Sequence, residues 1–325
     1  MSAESTPPNP GHGPAEAPDV SVVVPTRNRA ELLQRTLTSV FDQIGRFSFE
    51  IIVVEQESTD GTATVLAGLT DPRLRVISAA PMGPAAARNL AIDAARGRWV
   101  AFVDDDDYWA PNKLQFHIGA LEDADADWGG TGTLYVDCNG RFIGERPPPR
   151  VGRFDSILAD ILEQNVITST STVIAKRSLL SEAGGFSPDI HFGEDWLFWI
   201  ELARCGVTLQ LSECLTATRI AGGSATANLV AVKQLFDRLD EVRGLPLDSA
   251  TDRERRAHRE ITMCVSNLRA GHRFAGAAHR LRAGWIRRSI RDVGVAAYIA
   301  VLGPSASLRG AYRTSHAKAP EWIRG

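Results

Sequence analysis

Four consecutive aspartates, Asp104 to Asp107, follow Trp99 to Val103, an apolar run of strand length. Neighbouring carboxylates repel, so folding alone gives no reason to crowd them at the end of a buried strand. A divalent cation removes the conflict, because hard carboxylate oxygens suit Mg²⁺ or Mn²⁺. In open α/β sheets, ligands bind beyond the carboxyl ends of the strands, where these side chains would sit. Taken alone, the run also reads as a solvated acidic loop before a helix. Pro111 suits the first turn of that helix.

Other groups could share the site. Asp195 stands in Phe192-Gly193-Glu194-Asp195, where a helix opens. Its plain reading is a first-turn acid complementing the helix dipole. A carboxylate in reach of a reacting hydroxyl also serves as a general base. Glu194 is either a second dipole partner or a binding group. Arg88 is either a surface helix residue or a fixed cation for phosphate. Trp196 and Trp199 fall at helical spacing, which usually marks a core face.

These groups need elements to hold them. Val20 to Val24 is a β-branched strand stopped by Pro25, and Thr26 to Arg29 is a polar turn. Glu31 to Gln43 has helical spacing. Phe49 to Val54 is a second strand, ending in Glu55-Gln56-Glu57-Ser58-Thr59-Asp60-Gly61. Leu74 to Ile77 is the third. Met82 to Arg96 is helical and carries Gly83, Pro84, Arg88 and Asn89 near its start. Trp99 to Val103 is the fourth strand. This alternation predicts parallel β-α units with right-handed crossovers. Polar residues gather after strands one, two and four, and at the helix before strand four, so they can share one sheet edge.

Further on, Trp128 to Val136 is predicted as a strand and Asn139-Gly140 as a hairpin turn. Phe154 to Glu163 is predicted as a helix, and Ser169 to Ala175 as a strand with alternating hydroxyls. No G-x-G-x-x-G follows a strand and no G-x-x-x-x-G-K-[ST] is present. Both absences weigh against nicotinamide, flavin and P-loop chemistry.

With 325 residues, 44% hydrophobic and 23% charged, the chain suits one large domain plus an appendage. A net charge of −3 gives no pull toward nucleic acid. Cys138, Cys205, Cys214 and Cys264 lack metal-ligand spacing and read as free thiols of a reducing cytosol. Residues 1–18 read as a disordered tail without signal-peptide character. Residues 19–225 hold the α/β pattern, and 226–325 read as a helical, basic region. Arg269 to Arg291 contains no acid. Val293 to Gly303 is apolar but about half the roughly 20 residues that span a bilayer. An amphipathic anchor on anionic lipid and a bundle packed on the catalytic domain both fit 269–303. The expected location is cytoplasmic, with peripheral contact at the inner membrane face.

The motifs together resemble a known family. They are Val23-Val24-Pro25-Thr26-Arg27-Asn28-Arg29, Ile52-Val53-Val54-Glu55, Ser58-Thr59-Asp60-Gly61-Thr62, Ala87-Arg88-Asn89, Phe102-Val103-Asp104-Asp105-Asp106-Asp107 and Gly193-Glu194-Asp195-Trp196. In order and spacing this series resembles the family 2 glycosyltransferases, over about Val20 to Ile220. The resemblance implies a GT-A α/β fold: Rossmann-like, with a mostly parallel central sheet flanked by helices, here with a C-terminal helical extension. It implies inverting, metal-dependent transfer of a sugar from a UDP-, dTDP- or GDP-sugar. The acceptor would be a glycan, lipid-linked or small-molecule hydroxyl.

The resemblance also implies roles at matched positions. Pro25, Thr26 and Arg29 would lie by the base and ribose, and Glu55 and Gln56 would face the base edge. Arg88 would approach the base or phosphates. Asp104 to Asp106 match the D-x-D signature; Asp106 would ligate Mn²⁺ or Mg²⁺, and Asp105 would contact ribose or metal-bound water. Asp195 matches the general base, with Glu194 and Trp196 as acceptor-side candidates. Processive members carry Q-x-x-R-W after the base; this chain has none, which implies transfer of a single sugar. One departure is Glu55-Gln56-Glu57-Ser58, where the family commonly has Asp-Asp-Gly-Ser or Asp-Asn-Gly-Ser. Gln56 both donates and accepts hydrogen bonds, which opens the choice of base to dTDP or GDP.

Two other readings compete. A nucleotidyltransferase making activated sugars needs a glycine-rich loop after strand one, and Pro25 to Arg29 has no glycine. A non-catalytic nucleotide-binding module would have no use for the intact aspartate cluster and Asp195.

Overall fold

The computed structural model describes residues 17–220, 229–242, 249–269, 272–287 and 320–323. The expected tail up to residue 16, the boundary at 225 and the apolar run Val293–Gly303 lie outside them.

The chain opens with β1 (Val20–Thr26), α1 (Ala30–Phe41), β2 (Phe49–Glu55), α2 (Thr62–Ala67), β3 (Leu74–Ser78), α3 (Gly83–Ala94) and β4 (Trp99–Phe102). Strands β3, β2, β1 and β4 lie side by side in that order and run parallel, as the alternation requires. Then come β5 (Tyr108–Trp109), α4 (Lys113–Asp123), β6 (Trp128–Val136), β7 (Phe142–Arg146), β8 (Gly152–Phe154) and α5 (Leu158–Glu163). A 3₁₀ turn at Thr170–Thr172, β9 (Ile174–Lys176), α6 (Arg177–Glu182), α7 (Glu194–Cys205) and β10 (Thr208–Arg219) complete the sheet. Its order is β3-β2-β1-β4-β9-β6-β10-β5, with β7 beside β6 and β8 beside β10. Strand β9 is antiparallel to both β4 and β6, so the second half of the sheet is mixed.

The side-chain period of two splits each continuous apolar strand between two cores. Val23, Ile52, Val54, Val100 and Phe102 pack with residues of α3, α5 and α7. Val22, Val24, Ile51, Val53 and Ala101 pack with residues of α1 and α4 on the other face.

Four local expectations change. Pro25 does not stop β1. Strand β4 pairs with β1 only up to Val23 and Phe102, so the Pro25 nitrogen faces no strand. β1 therefore continues beside β2 to the pair Thr26 and Glu55. The helix predicted from Phe154 starts at Leu158, because Gly152–Phe154 pairs with β10. Ser169 to Ala175 is not one strand. The Ser169 hydroxyl accepts the Ser171 N–H and closes a turn, and strand pairing resumes at Ile174. Pro111 precedes α4 rather than opening it, with Asn112 as the capping residue.

Helices α8 (Leu229–Glu241), α9 (Ser249–Arg269) and α10 (Arg273–Arg287) extend the molecule from α7. Gly193 opens α7 with φ 76°, and Leu235 of α8 packs so close that a Cβ there would collide. Trp196 of α7 meets Phe236 of α8 and His258 of α9 edge-on. Trp322, in a short 3₁₀ turn at Glu321–Ile323, packs edge-on against Tyr108. Among the described residues no helix is long and apolar enough to cross a membrane. The four cysteines are free.

Candidate active site

Strands β1, β2 and β4 end at one edge of the sheet, and the loops after them meet there. The aspartate loop rests on the hydroxyl turn. The Asp104 N–H donates to Ser171 Oγ at 2.9 Å, and Trp109 Nε1 donates to the Ser171 carbonyl at 2.9 Å. Lys113 Nζ donates to the Thr172 carbonyl at 3.1 Å from within the core. The turn is thus held from below while it supports the acids above.

Each aspartate has a different environment. Asp107 is buried and accepts from Ser169 Oγ, Thr218 Oγ1 and the Arg219 N–H. Burial, with the charges of Asp106 and Asp104, pushes its carboxyl well above the usual range. It ties the loop to the end of β10. Asp105 accepts the Arg27 N–H at 3.3 Å and lies 3.7 Å from Arg29 Nε. Burial and the neighbouring acids push it up to about 7, with Arg29 opposing. Asp106 is raised by burial and by Asp104, against Arg29 and Arg219. Among the described residues its carboxylate has no hydrogen-bonding side chain or ion-pair partner.

Arg88 of α3 is the centre of the charge arrangement. Its side chain is 6% exposed, with Nη2 2.8 Å from Asp104 Oδ1 and Nη1 2.9 Å from Glu194 Oε1. Burial works against its charge, but the two carboxylates more than offset that and hold its pKa above the ordinary arginine value. The bridge joins the aspartate loop to the first turn of α7. There Asp195 Oδ1 accepts the Trp196 N–H at 2.8 Å. Burial, then Glu194, pushes the Asp195 carboxyl up to about 6, with Arg88 opposing.

The other two loops brace each other. The Asn28 N–H donates to Ser58 Oγ, and Asn28 Oδ1 accepts the Thr59 N–H. The Arg29 N–H donates to Thr62 Oγ1, and the Ala30 N–H to Asp60 Oδ2. Asn28 and Glu57 hold left-handed backbone, φ 55° and 46°. Such strain in non-glycine residues gathers at functional sites.

The family description "Glycosyl transferase family 2" matches residues 21–182. TuaG of Bacillus subtilis, a candidate teichuronic acid biosynthesis glycosyltransferase, is 30% identical over 65% of this chain and 82% of its own length. The chain belongs to glycosyl transferase family 2. It is a glycosyltransferase.

The succinoglycan biosynthesis protein ExoO of Rhizobium meliloti is also 30% identical, over 59% of this chain. The match spans 57% of ExoO, little more than half its length. WfgD of Escherichia coli, a UDP-Glc:alpha-D-GlcNAc-diphosphoundecaprenol beta-1,3-glucosyltransferase, is 27% identical over 57% of this chain and 70% of WfgD. Two solved structures share the fold, each with a TM-score of 0.59. S. aureus TarS 1–349 is 19% identical and covers 86% of this chain and 90% of its own. The mannosyltransferase PcManGT of Pyrobaculum calidifontis, in complex with GDP-Man and Mn²⁺, is 21% identical, covering 91% and 84%. This likeness bears out the expected GT-A α/β class.

Within that family frame, several of the expected site residues already have protein partners. Trp196, an acceptor-side candidate, is buried, and its Nε1 donates to the Ile161 carbonyl at 2.7 Å. Glu194, an acceptor-side candidate, supplies through Oε1 the charge that the buried guanidinium needs. Both terminal nitrogens of Arg88, expected near the base or phosphates, are held by carboxylates. Gln56 is buried, and its Oε1 accepts the Met82 and Gly83 N–H groups at the start of α3. Glu55 is also buried, and its Oε1 accepts the Ser58 N–H. Both acids and amides here shape their own loops, leaving only their remaining atoms for a base.

Pro25 and Thr26 end β1 beside this cluster, with Thr26 buried, and Arg29 stays half-exposed at the rim. Sequence reasoning missed the support beneath the acids: Ser171, Lys113, Thr218 and Arg219. The alternating hydroxyls of Ser169 to Ala175 were the one available signal for it.

The site fits a divalent cation, judged by its donor set. Among the described residues no three His, Cys, Asp or Glu side chains converge into a metal cage. A Mg²⁺-like ion needs no such cage: one or two carboxylates suffice when phosphate oxygens and water complete the shell. Asp106 offers an unengaged carboxylate of that kind.

Proposed function

We propose that this glycosyltransferase is an inverting, metal-dependent enzyme that moves one sugar from a nucleoside-diphosphate sugar to an acceptor hydroxyl. The observation that carries the reading is the unpartnered Asp106 carboxylate, linked through Asp104, Arg88 and Glu194 to the helix bearing Asp195. Asp106 would hold Mn²⁺ or Mg²⁺, and Asp105 with Arg29 would border the ribose and phosphates. Bound there, the ion would act as a Lewis acid that neutralises the departing diphosphate.

Asp195 does the proton work. Its Oδ1 is committed to the Trp196 N–H, so Oδ2 would take the acceptor's proton as the hydroxyl attacks C1. Attack opposite the leaving diphosphate inverts the anomeric carbon. A raised pKa suits a base working near neutral pH, since such a carboxylate holds a proton more firmly. Arg88 and Glu194 position the base helix against the donor loop.

The donor would be a UDP-, dTDP- or GDP-sugar, and the relatives and neighbours support the first and the last. TarS has been crystallised with UDP and with UDP-GlcNAc, PcManGT with GDP-Man, and WfgD is named for UDP-Glc. WfgD is also named for a diphosphoundecaprenol acceptor. A lipid-linked acceptor here would place the enzyme at the cytoplasmic face of the inner membrane, with the basic segment 269–303 against anionic lipid. In domain terms, 19–225 would be catalytic and 226–325 the membrane-facing extension.

The test is transfer from a panel of nucleotide-sugars with Mn²⁺, following the anomeric configuration of the product by NMR. An inverted product with wild type, and none with Asp106→Ala, is expected. A retained configuration, or full activity of Asp106→Ala, would sink the mechanism.

A further inference from the structure

We infer that the outer face of α10 is a surface that lies flat on an anionic bilayer, with Phe274, Leu281 and Trp285 inserted. This deepens the proposed membrane contact and rests on that reading. A helix in a soluble bundle normally turns its large apolar residues inward. Helix α10 does the reverse. It packs on α9 through its small residues Gly276, Ala277, Ala283 and Gly284, all buried. At Gly276 a Cβ would press against Leu268 Cγ and Cδ2 at 2.9 Å, so the two helices approach closely only because nothing larger is there. Phe274, Leu281 and Trp285 are 65%, 46% and 82% exposed. At 3.6 residues per turn these three fall within about 40° of one another, turned about 120° from the centre of the packed face. An exposed apolar stripe of this kind is the informative exception to burial.

Charge selects the occupant. Arg269 to Arg291 carries seven arginines, two histidines and no acid. Arg282 flanks the stripe and is exposed, with Nη1 3.4 Å from Glu260 Oε2 of α9. An apolar face within so basic a segment fits lipid with anionic headgroups, which attract juxtamembrane basic residues. The stripe also has a definite relation to the reaction site. Helix α9 touches α7 through His258 on Trp196, next to Asp195, and α10 lies outside α9. Two layers of packed helices put the lipid surface roughly 20 Å from the base. A membrane-held acceptor would then approach from the α7 side.

The full chain is tested on sedimenting vesicles of phosphatidylcholine alone and of phosphatidylcholine with phosphatidylglycerol, beside the combined variant Phe274→Ser, Leu281→Ser, Trp285→Ser. These side chains are exposed, so the variant should fold; circular dichroism checks this. Wild type is expected to bind the anionic vesicles, to be released by salt, and to shift its tryptophan emission to the blue. The variant is expected to bind roughly tenfold more weakly or worse, and to lose the blue shift. Equal binding by the variant, or no preference for anionic lipid, overturns the inference. So does a wild type that ignores vesicles but dimerises through this face, with the variant monomeric. Nucleotide-sugar binding without vesicles is measured in parallel. If it fails while vesicle binding holds, the catalytic reading falls and the membrane surface stands.

Discussion

Arg88 Nη1 and Glu194 Oε1 lie 2.9 Å apart across 106 residues of chain, and both side chains are largely buried. Breaking one member of a buried pair leaves the other charge uncompensated. Glu194→Gln is therefore expected to cost about 3 kcal/mol of stability, read from urea unfolding. It should also lower turnover more than it weakens donor binding, because Asp195 sits on the same helical turn. A variant as stable and as active as wild type would show that the bridge is idle.

Asp195→Asn should keep nucleotide-sugar affinity and lose roughly a hundredfold or more in turnover. In the wild type the base must be ionised to act, and its carboxyl is pushed up to about 6. The rate should thus rise with pH through about 6 and then level. A rate flat from pH 5 to pH 8, by stopped assays, would assign the proton to another group.

Asp105 links pH to stability. Its native carboxyl is raised to about 7, whereas the unfolded chain releases that proton near its ordinary value of 3.8. Between these values the native state binds more protons, so this group's contribution falls as pH rises. Without divalent ions, Asp105→Asn should gain on wild type in urea midpoint from about pH 4 to about pH 7. Adding Mn²⁺ should narrow the gap. A gap that stays constant with pH would remove Asp105 from the coupled cluster.

Trp196→Ala should cost about 4 kcal/mol, the usual range for emptying a buried aromatic site. Donor affinity should change little in the protein that remains folded. A stable variant with weakened acceptor binding would instead give Trp196 a direct part in the site.

Much of this was legible in the sequence because period and spacing are local. The continuous runs Val20 to Val24 and Phe49 to Val54 announced strands buried on both faces, and Asp104 to Asp107 announced a charge problem at a strand end. What stayed hidden was long-range pairing. Nothing near Arg88 reveals that Asp104 and Glu194 will hold both its nitrogens. Nothing near Gln56 shows that its amide oxygen will cap α3. Pro25 misled because its cost depends on whether a strand lies alongside, and β4 ends too early to do so. The hydroxyls of Ser169 to Thr172 were visible, but their turn forms only by bonding to themselves and to the aspartate loop.

The central claim is that Asp106 grips a cation which in turn holds the diphosphate. Isothermal titration of wild type with UDP-, dTDP- and GDP-sugars, in Mn²⁺ and then in EDTA, tests it most directly. One sugar-nucleotide should bind in Mn²⁺, lose that binding in EDTA, and fail to bind Asp106→Ala in either. Equal affinity with and without the metal, or unchanged affinity in Asp106→Ala, would contradict it.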